Sequence, residues 1–395
     1  MYPRLFDFST NINDYFSTVN GDKLLKFGCG MFTHIEKIEV KRNLDFEFTL
    51  QMTIYKSDPL AKFVFPDMCV VCPHKPSGTA QIFVVKNISL KDDTIEISAD
   101  HVKYIFMNNV LTGDSNGTPD IHTGPMGTVF SELFELNNNV PINVFFKNIF
   151  TLNVLPDRIS VDFGGAEYNT VGQILSDAET GVCAQTDSWV DFDNFSLIFK
   201  RLPTSETKIK DIIRYGSNLS SYGQNMSNEN EFTHIIPYAT VDTKNTYEGS
   251  VESVTLYGTD SPLSTGSTSN FTRVKLIDFS NKFKSSKGYV IPDGQGAGTG
   301  YTEVRDRLKT YGLNYISKHP KIKSPSVSIK IDVAEELTRT DLDLGDKVEV
   351  VYGPTSYRKN HIVSETIYDP LTNRYKSITV GDKKYTLYNF LKGGY

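Results

Sequence analysis

The segment Cys69-Val70-Val71-Cys72-Pro73-His74 contains the residue types that most often bind zinc. A structural zinc site needs four ligands, so a Cys-x-x-Cys pair requires a partner pair elsewhere in the chain. The remaining cysteines, Cys29 and Cys183, are isolated, and Pro73 breaks the spacing of a Cys-x-x-Cys-His haem site. In a strand, Cys69 and Cys72 would also point to opposite faces. We therefore interpret these two cysteines as packing residues.

Glycines occupy four alternate positions before a helical pattern, where the free N–H groups of a helix N-terminus could bind phosphate. They are Gly294, Gly296, Gly298 and Gly300. The G-x-G-x-x-G motif is not satisfied, because Thr299 and Tyr301 fall where the third glycine should be, and no Gly-Lys-Ser/Thr follows. The stretch is interpreted as a loop that leads into an inserted helix.

Three aspartates, Asp341, Asp343 and Asp346, lie close together in front of an alternating valine strand. They lack the glycine position and the terminal glutamate of a calcium-binding loop. Aspartate is also common in turns, where its side chain bonds to nearby backbone groups. We therefore predict that this acidic run is the turn that starts the strand.

Complete signatures of hydrolytic enzymes are absent from the sequence. Gly113-Asp114-Ser115-Asn116-Gly117 matches the string Gly-x-Ser-x-Gly, but it lies in a stretch rich in turn residues and lacks the flanking strand and helix of a nucleophile elbow. There is no His-Glu-x-x-His helix and no cysteine in a recognisable nucleophile context. Two carboxylates for glycoside hydrolysis could meet in space from distant positions, but no pair stands out. We predict no catalytic, cofactor-binding or metal-binding residues, no cofactor, and no enzymatic activity.

The composition describes an ordinary protein with real hydrophobic cores. Its 395 residues predict two to four domains. The formal net charge of −6 argues against a surface that neutralises nucleic-acid phosphates. Four cysteines are too few for a disulfide framework, which favours a reducing compartment. The N-terminus lacks the apolar core of a signal peptide, and no apolar stretch is long enough to span a membrane, so we expect a soluble chain without an export signal.

The elements that must position these residues are mostly strands. Alternating apolar residues broken by turn residues predict a β-barrel or sandwich in the first hundred residues, with strands at 45–55, 63–73, 80–90 and 94–106. The C-terminal part predicts strands at 325–337, 346–353, 360–370, 374–382 and 385–391.

The region between these two parts mixes helices and strands. Residues 109–202 predict an α+β unit with helices at 128–137 and 169–181, the second stopped by Gly181, and a hairpin at 189–202. Further strands are predicted at 208–219, 234–240 and 250–258, before a loop at 258–270. The strongest helix spans 301–320, where apolar residues repeat at helical spacing and Pro320 ends the pattern.

Segments 45–106 and 325–391 share one plan, which predicts a duplicated β-barrel. Each has an alternating strand, an acidic turn, a second strand, a turn, a strand with a Val/Ile run, and a final strand after a short Asp-containing turn. In this comparison Pro66-Asp67 stands where Gly345-Asp346 stands. The alternative is that any two β-meanders share such an outline.

Two series of residues resemble the prophage endopeptidase tail family, also called the tail-associated lysin or baseplate-hub proteins of siphophages. One series has the family's pattern of an "LGD" turn, a "DPL" turn and a closing strand. It comprises Leu342-Asp343-Leu344-Gly345-Asp346-Lys347-Val348, Ile367-Tyr368-Asp369-Pro370-Leu371 and Ile378-Thr379-Val380-Gly381. The other is similar to its "fdN", "irYGkNL" and "PyG" signatures. It comprises Val190-Asp191-Phe192-Asp193-Asn194, Ile213-Arg214-Tyr215-Gly216-Ser217-Asn218-Leu219 and Ile236-Pro237-Tyr238-Ala239. These segments are spread over about half of the chain, from Val190 to Gly381. None is catalytic, and their order carries the resemblance.

The resemblance implies a mainly β fold with α+β insertions, similar to the hub protein of myophage baseplates. Two similar β-barrel hub domains would be interrupted by inserted α+β domains. We expect a first hub domain at 1–108, an α+β domain at 109–202, a second hub domain at 203–282 and 321–391, and an inserted loop and helix at 283–320 that packs with the α+β domain.

The resemblance also implies a function and partners. Three chains with two barrels each would form a six-unit ring at the tail tip of the virion, assembled in the bacterial host cytoplasm. Expected partners are the distal tail ring protein, the C-terminus of the tape measure protein, receptor-binding or baseplate proteins, passing genomic DNA and the host cell wall. Many members carry lytic activity in a C-terminal extension, but this sequence ends after the last barrel strand. We expect a short hub or a piece of a longer protein, with a peptidoglycan hydrolase or wall-binding adhesin as the alternative.

Two loop regions, 111–127 and 258–300, are rich in Gly, Ser, Thr, Asn and Pro. We expect them to move or to contact partners when the hub opens.

Overall fold

The fold is known from a computed structural model. It describes residues 2–6, 29–76, 78–108, 110–111, 121–136, 151–162, 169–177, 181–214, 219–227, 231–244, 251–267, 269, 271–283, 290–292, 299–318, 326–333, 342–353 and 357–381.

Seven strands form the N-terminal part of the structure. They are β1 (Arg4–Phe6), β2 (Gly30–Met31), β3 (Ile35–Asn43), β4 (Phe48–Tyr55), β5 (Cys69–Pro73), β6 (Ala80–Leu90) and β7 (Thr94–His101). They pair in the order β3-β4-β7-β6-β5-β1-β2, and each of these pairs is antiparallel. Buried and exposed side chains alternate in β4 and β7, so one face of these seven strands packs on an apolar core. This core includes Leu50, Met52, Ile54, Ile97 and Ala99.

The middle of the chain mixes helices and strands, and we refer to it as the α+β unit. Its elements are α1 (Lys103–Met107), β8 (Val110–Leu111), β9 (Ile121–Pro125), α2 (Met126–Leu136), β10 (Thr151–Asn153), β11 (Arg158–Asp162), β12 (Asn169–Thr170), α3 (Val171–Ser176), α4 (Val182–Gln185), β13 (Ser188–Asp193) and β14 (Ser196–Arg201).

Both predicted helices and the predicted hairpin form in this unit, and one helix boundary differs. The hairpin β13–β14 forms around Asn194, whose φ of 50° suits its left-handed turn position. Thr170 caps α3 in a capping box with Gln173. This helix ends at Ser176, however, and Gly181 is the N-cap of α4 instead of the predicted stop.

The second sheet half is built from strands on both sides of a further insertion. They are β15 (Asp211–Arg214), β16 (Leu219–Ser227), β22 (Ser326–Val333), β23 (Lys347–Tyr352), β24 (Tyr357–Asp369) and β25 (Arg374–Gly381). Their order is β16-β22-β25-β24-β23-β15, antiparallel except for the parallel pair β15–β23. The predicted strand at 385–391 lies outside the described residues.

Among the residues that the structure describes, the insertion consists of five strands and one α-helix. Its elements are β17 (His234–Lys244), β18 (Val251–Tyr257), β19 (Leu263–Ser264), β20 (Val274–Asp278), β21 (Val290–Pro292) and α5 (Thr299–Lys318). The helix is close to its predicted bounds and packs Val304 and Leu308 against Ala239 and Val241 of β17. The described strands from His234 to Asp278 therefore pair in their own sheet, while the predicted boundary assigned this region to the second hub domain.

The two sheet halves have the same strand order, which supports the predicted repeat. Strands β3, β4, β7, β6 and β5 correspond in order and direction to β16, β22, β25, β24 and β23. An antiparallel contact between β24 and β3 joins the halves into one sheet of 13 strands. The described strands therefore form a mainly β protein with one continuous open sheet, and they do not close into two separate barrels.

The turns before β5 and β23 are built alike, one residue away from the predicted alignment. Asp67 and Gly345 both have positive φ, and their N–H groups donate to Val85 and Val363 at 2.9 Å. The Val85 N–H donates back to the Met68 carbonyl, and the Val363 N–H donates back to the Asp346 carbonyl. A bulge follows each valine, in β6 and in β24. Asp67, and not Pro66, is thus the counterpart of Gly345.

Parts of the two predicted moving loops are regular structure. Strand β9 and the start of α2 occupy 121–127, and β19, β20 and β21 lie within 258–300. None of the described helices is both long and apolar enough to cross a lipid bilayer.

Candidate functional site

A group of charges centred on the buried Arg42 lies where the two sheet halves meet the α+β unit. Arg42 of β3 is 3% exposed, and its Nη1 donates to Asp343 Oδ1 at 2.9 Å while its Nη2 donates to Asp191. Lys75 contacts the other oxygen of Asp343, and Lys200 Nζ donates to Asp191 Oδ2 at 2.6 Å. We call these five residues the junction cluster.

The charges of the junction cluster stabilise one another. Burial by itself would raise the pKa of Asp343, but Arg42 and Lys75 hold that pKa well below its ordinary value. The pKa of Asp191 is also lowered, because Arg42 and Lys200 outweigh its burial. Both carboxylates are therefore kept ionised, and no cation of the cluster is left without a counter-ion.

The junction cluster connects three parts of the fold. Arg42 belongs to the first sheet half, Asp343 to the turn before β23, and Asp191 to the hairpin of the α+β unit. Apolar contacts also connect these parts. Leu44, directly after β3, and Trp189 of β13 both pack in the core of the second sheet half. A cluster that fully pairs its charges across three units is suited to fixing their geometry.

Asn194 of the "fdN" segment docks the α+β hairpin on β6. Its Oδ1 accepts from the Ile82 N–H at 2.9 Å, and its Nδ2 donates to the Ala80 carbonyl at 2.9 Å. The Asn194 N–H donates to Gln81 Oε1 at 2.8 Å, and that oxygen also lies 3.0 Å from His101 Nε2. The motif residue therefore serves a structural contact between units.

The "LGD" segment is a turn, and it also does more than the sequence predicts. The Asp343 N–H donates to Asp346 Oδ2 at 2.8 Å, which is the expected turn chemistry. Lys347 Nζ donates to the carbonyls of Thr204, Ser205 and Thr207 at 2.9–3.0 Å. These bonds fix the linker between β14 and β15. Asp341 lies outside the described residues.

The residues considered for metal or phosphate binding are placed as follows. Cys69 and Cys72 are buried in two different cores, on opposite faces of β5. The part of the chain that the structure describes holds no group of three or more His, Cys, Asp or Glu side chains arranged for a metal ion. Gly294, Gly296 and Gly298 lie outside the described residues, and Gly300 is in the first turn of α5.

His74 is buried beside the junction cluster and should make stability depend on pH. Its Nδ1 has no hydrogen-bond partner among the described residues, and burial, with Arg42 nearby, lowers its pKa to about 3. Below about pH 6.5 the unfolded chain takes up a proton that folded His74 does not. The free energy of unfolding should therefore fall by about 2 kcal/mol more between pH 7 and pH 5 in the wild type than in His74→Gln.

Urea unfolding at several pH values measures this difference. The control is His34→Gln, which changes an exposed histidine and should keep the wild-type slope. Equal slopes for wild type and His74→Gln would show that His74 is not the source of the pH dependence.

Comparisons with known proteins show which of them have a similar fold. No protein-family model matches the sequence, and no curated protein matches it. Prophage tail protein gp18 from Listeria monocytogenes EGD-e is similar in structure, with a TM-score of 0.52 and 15% identity over 99% of this chain and 98% of that one.

Two further tail proteins of known structure are also similar to this chain. The tail protein from Neisseria meningitidis MC58 has a TM-score of 0.53 and 8% identity over 97% of this chain and 96% of that one. The 43 kDa tail protein of prophage MuSo2 from Shewanella oneidensis has a TM-score of 0.53 and 14% identity over 89% of this chain and 96% of that one. Nearly the whole chain is matched in each case, and so this protein shares the fold of prophage tail proteins.

Proposed function

We propose that this protein is a structural component of a phage or prophage tail tip. In this proposal it is a homotrimeric baseplate hub that caps the tail tube below the distal tail ring and forms the conduit or plug for DNA ejection. The observation that carries the proposal is the repeated strand order of the two sheet halves within a prophage tail protein fold. Three copies would present six similar halves and could dock coaxially on a sixfold tail ring.

The size of such a ring suits a conduit. The path from β16 to β6 contains eight strands of each chain. Three copies would close about 24 strands, and about 4.8 Å per strand gives a backbone diameter of about 37 Å. Strand tilt would widen the ring further. A passage of this width accommodates a DNA double helix, and the net charge of −6 disfavours retention of DNA on the wall.

The partners in this proposal follow from its position. The ring would contact the distal tail ring protein on one side and the tape measure C-terminus within the lumen. Receptor-binding or baseplate proteins and the host cell wall would lie on the outer side. Host contact would bias the trimer from a closed to an open state, because only a differential contact can shift such an equilibrium. The hub acts by assembly, so the proposal includes no catalytic step.

The mass of the purified protein in solution tests the proposal. Light scattering on a sizing column should give a trimer, alone or in the presence of a distal tail ring protein. A chain that remains a monomer even with the ring present would contradict it. In that case, wall binding and peptidoglycan hydrolysis would be the activities to measure.

A further inference from the structure

Within one chain, β24 shows how two sheet halves can join. One edge of this strand is shared: Tyr357–Ile362 pairs with β23, and Glu365–Tyr368, beyond the bulge, pairs with β3. The Leu44 N–H donates to the Ser364 carbonyl at 2.9 Å. Lys41 contacts Glu365 at 3.3 Å, and Lys376 contacts Glu39 at 3.2 Å. Main-chain pairing and flanking ion pairs thus hold this internal joint.

The corresponding edge of the first half carries no described partner strand. Ala80–Val84 of β6 pairs with β5, as Tyr357–Ile362 does with β23. Beyond its bulge, Asn87–Leu90 pairs with β7 on one side only, among the strands that the structure describes. This segment is the counterpart of Glu365–Tyr368. Leu90, at the end of this segment, is 70% exposed.

The direction of the backbone groups shows that this edge can accept a strand. The Lys91 N–H donates to the Thr94 carbonyl at 3.0 Å. Because N–H groups alternate in direction along an antiparallel strand, those of Ile88 and Leu90 point away from β7. An edge with outward N–H groups is a template for pairing with another chain.

The complementary edge lies at the other end of the sheet. Strand β16 is the counterpart of β3, and among the described strands it pairs only with β22. Among the described strands, a single chain therefore presents the edge of β6 at one end and the edge of β16 at the other. The internal joint shows how their counterparts, β24 and β3, fit together. Two different surfaces that complement each other make a head-to-tail contact, which closes into a ring when the rotation allows.

We propose that Asn87–Leu90 of one copy pairs antiparallel with β16 of the next copy. The internal joint fixes the register. Glu365 faces Asn43 and Tyr368 faces Val40 there, and the ladders through β4 and β22 carry these positions to β16. The resulting pairs are Asn87 with Ser227, Ile88 with Met226, Ser89 with Asn225 and Leu90 with Gln224. This inference rests on the proposed trimer and names the surfaces that build it.

Disulfide cross-linking tests the register. Ser89 and Asn225 would form a non-hydrogen-bonded pair, whose Cα atoms lie about 4.5 Å apart, within reach of a disulfide. Ser89→Cys with Asn225→Cys should give covalent dimers and trimers on oxidation, in a background where the exposed Cys29 is replaced by serine. The control pair, Ser89→Cys with Met226→Cys, shifts the register by one residue and directs the two thiols to opposite faces. It should give at least tenfold less product.

A proline at the same edge tests the backbone contact. Leu90→Pro removes an outward N–H that β7 does not use, so the chain should fold but the ring should dissociate to monomers. Leu90→Ala keeps the N–H and should remain a trimer.

The outcomes separate this inference from the proposed function. A wild-type trimer that resists Leu90→Pro and gives no specific cross-link would overturn the strand pairing while leaving the hub proposal in place. A wild-type monomer, with and without the tail ring, would overturn both.

Discussion

An Arg42→Met variant should lose about 3–5 kcal/mol of unfolding free energy at pH 7, because a buried charge that loses its partner is strongly destabilising. Arg42 is 3% exposed and separates the carboxylates of Asp191 and Asp343. Without it, each carboxylate keeps one lysine partner, but the side chains of Asp191 and Asp343 are only 10% and 18% exposed. Urea unfolding followed by the fluorescence of Trp189, the protein's single tryptophan, measures the loss close to the cluster.

The pH dependence of this loss has a defined sign. In the wild type, the lowered pKa values of Asp191 and Asp343 contribute stability above the ordinary carboxylate range. That contribution disappears as the pH falls below about 4, since the unfolded chain then binds protons first. In Arg42→Met the buried carboxylates become easier to protonate. The difference between the two proteins should therefore shrink in acid.

Arg358→Met is the matched control, because Arg358 also lies on a strand and pairs with a glutamate, Glu349, but is exposed. It should lower the free energy of unfolding far less than Arg42→Met does, because water screens an exposed ion pair. Adding Asp191→Asn and Asp343→Asn to Arg42→Met should restore part of the stability. A loss below about 1 kcal/mol in Arg42→Met would contradict the role of the junction cluster.

A Gly345→Ala variant is expected to lose about 2–5 kcal/mol. Its φ of +80° costs an L-residue about 1–2 kcal/mol. A Cβ at this position would also lie 2.7 Å from Trp189 Nε1, and such overpacking costs about 1–3 kcal/mol. Trp189 would have to move, so the native fluorescence spectrum should change together with the unfolding midpoint.

The repeat supplies the control for this variant. Asp67 occupies the equivalent turn position with φ 68°, but it is exposed. Asp67→Gly relieves the backbone penalty and should change stability by no more than about 1 kcal/mol. If Gly345→Ala were as mild as Asp67→Gly, the contact between the turn and Trp189 would not matter.

Much of the fold could be predicted from short-range patterns. Strand β6 has its predicted bounds, and α5 begins and ends within two residues of them, because period-two and helical apolar patterns are strong over such lengths. The acidic turn before β23 was also predictable, since glycine and aspartate have definite roles in turns. The resemblance to a tail protein family came from the order of these segments, and prophage tail proteins are among the solved structures with a similar fold.

What the sequence did not predict depends on contacts between distant residues. Strand β3, IEKIEVKRN, was missed because its charged residues hide the alternation, although it joins the two sheet halves. Nothing near Arg42 in the sequence points to Asp191 or Asp343, which lie 149 and 301 residues away. The one-residue error at Pro66 has a similar cause, since only the bonds to Val85 and Val363 align the two turns.

The central claim is that the two sheet halves are equivalent units of one ring. Electron cryo-microscopy of the protein bound to a distal tail ring tests it most directly. We expect a threefold ring in which the joint between β6 and the next copy's β16 superimposes on the internal joint between β24 and β3. An assembly whose copies meet through other surfaces, without main-chain pairing at Asn87–Leu90, would contradict the claim.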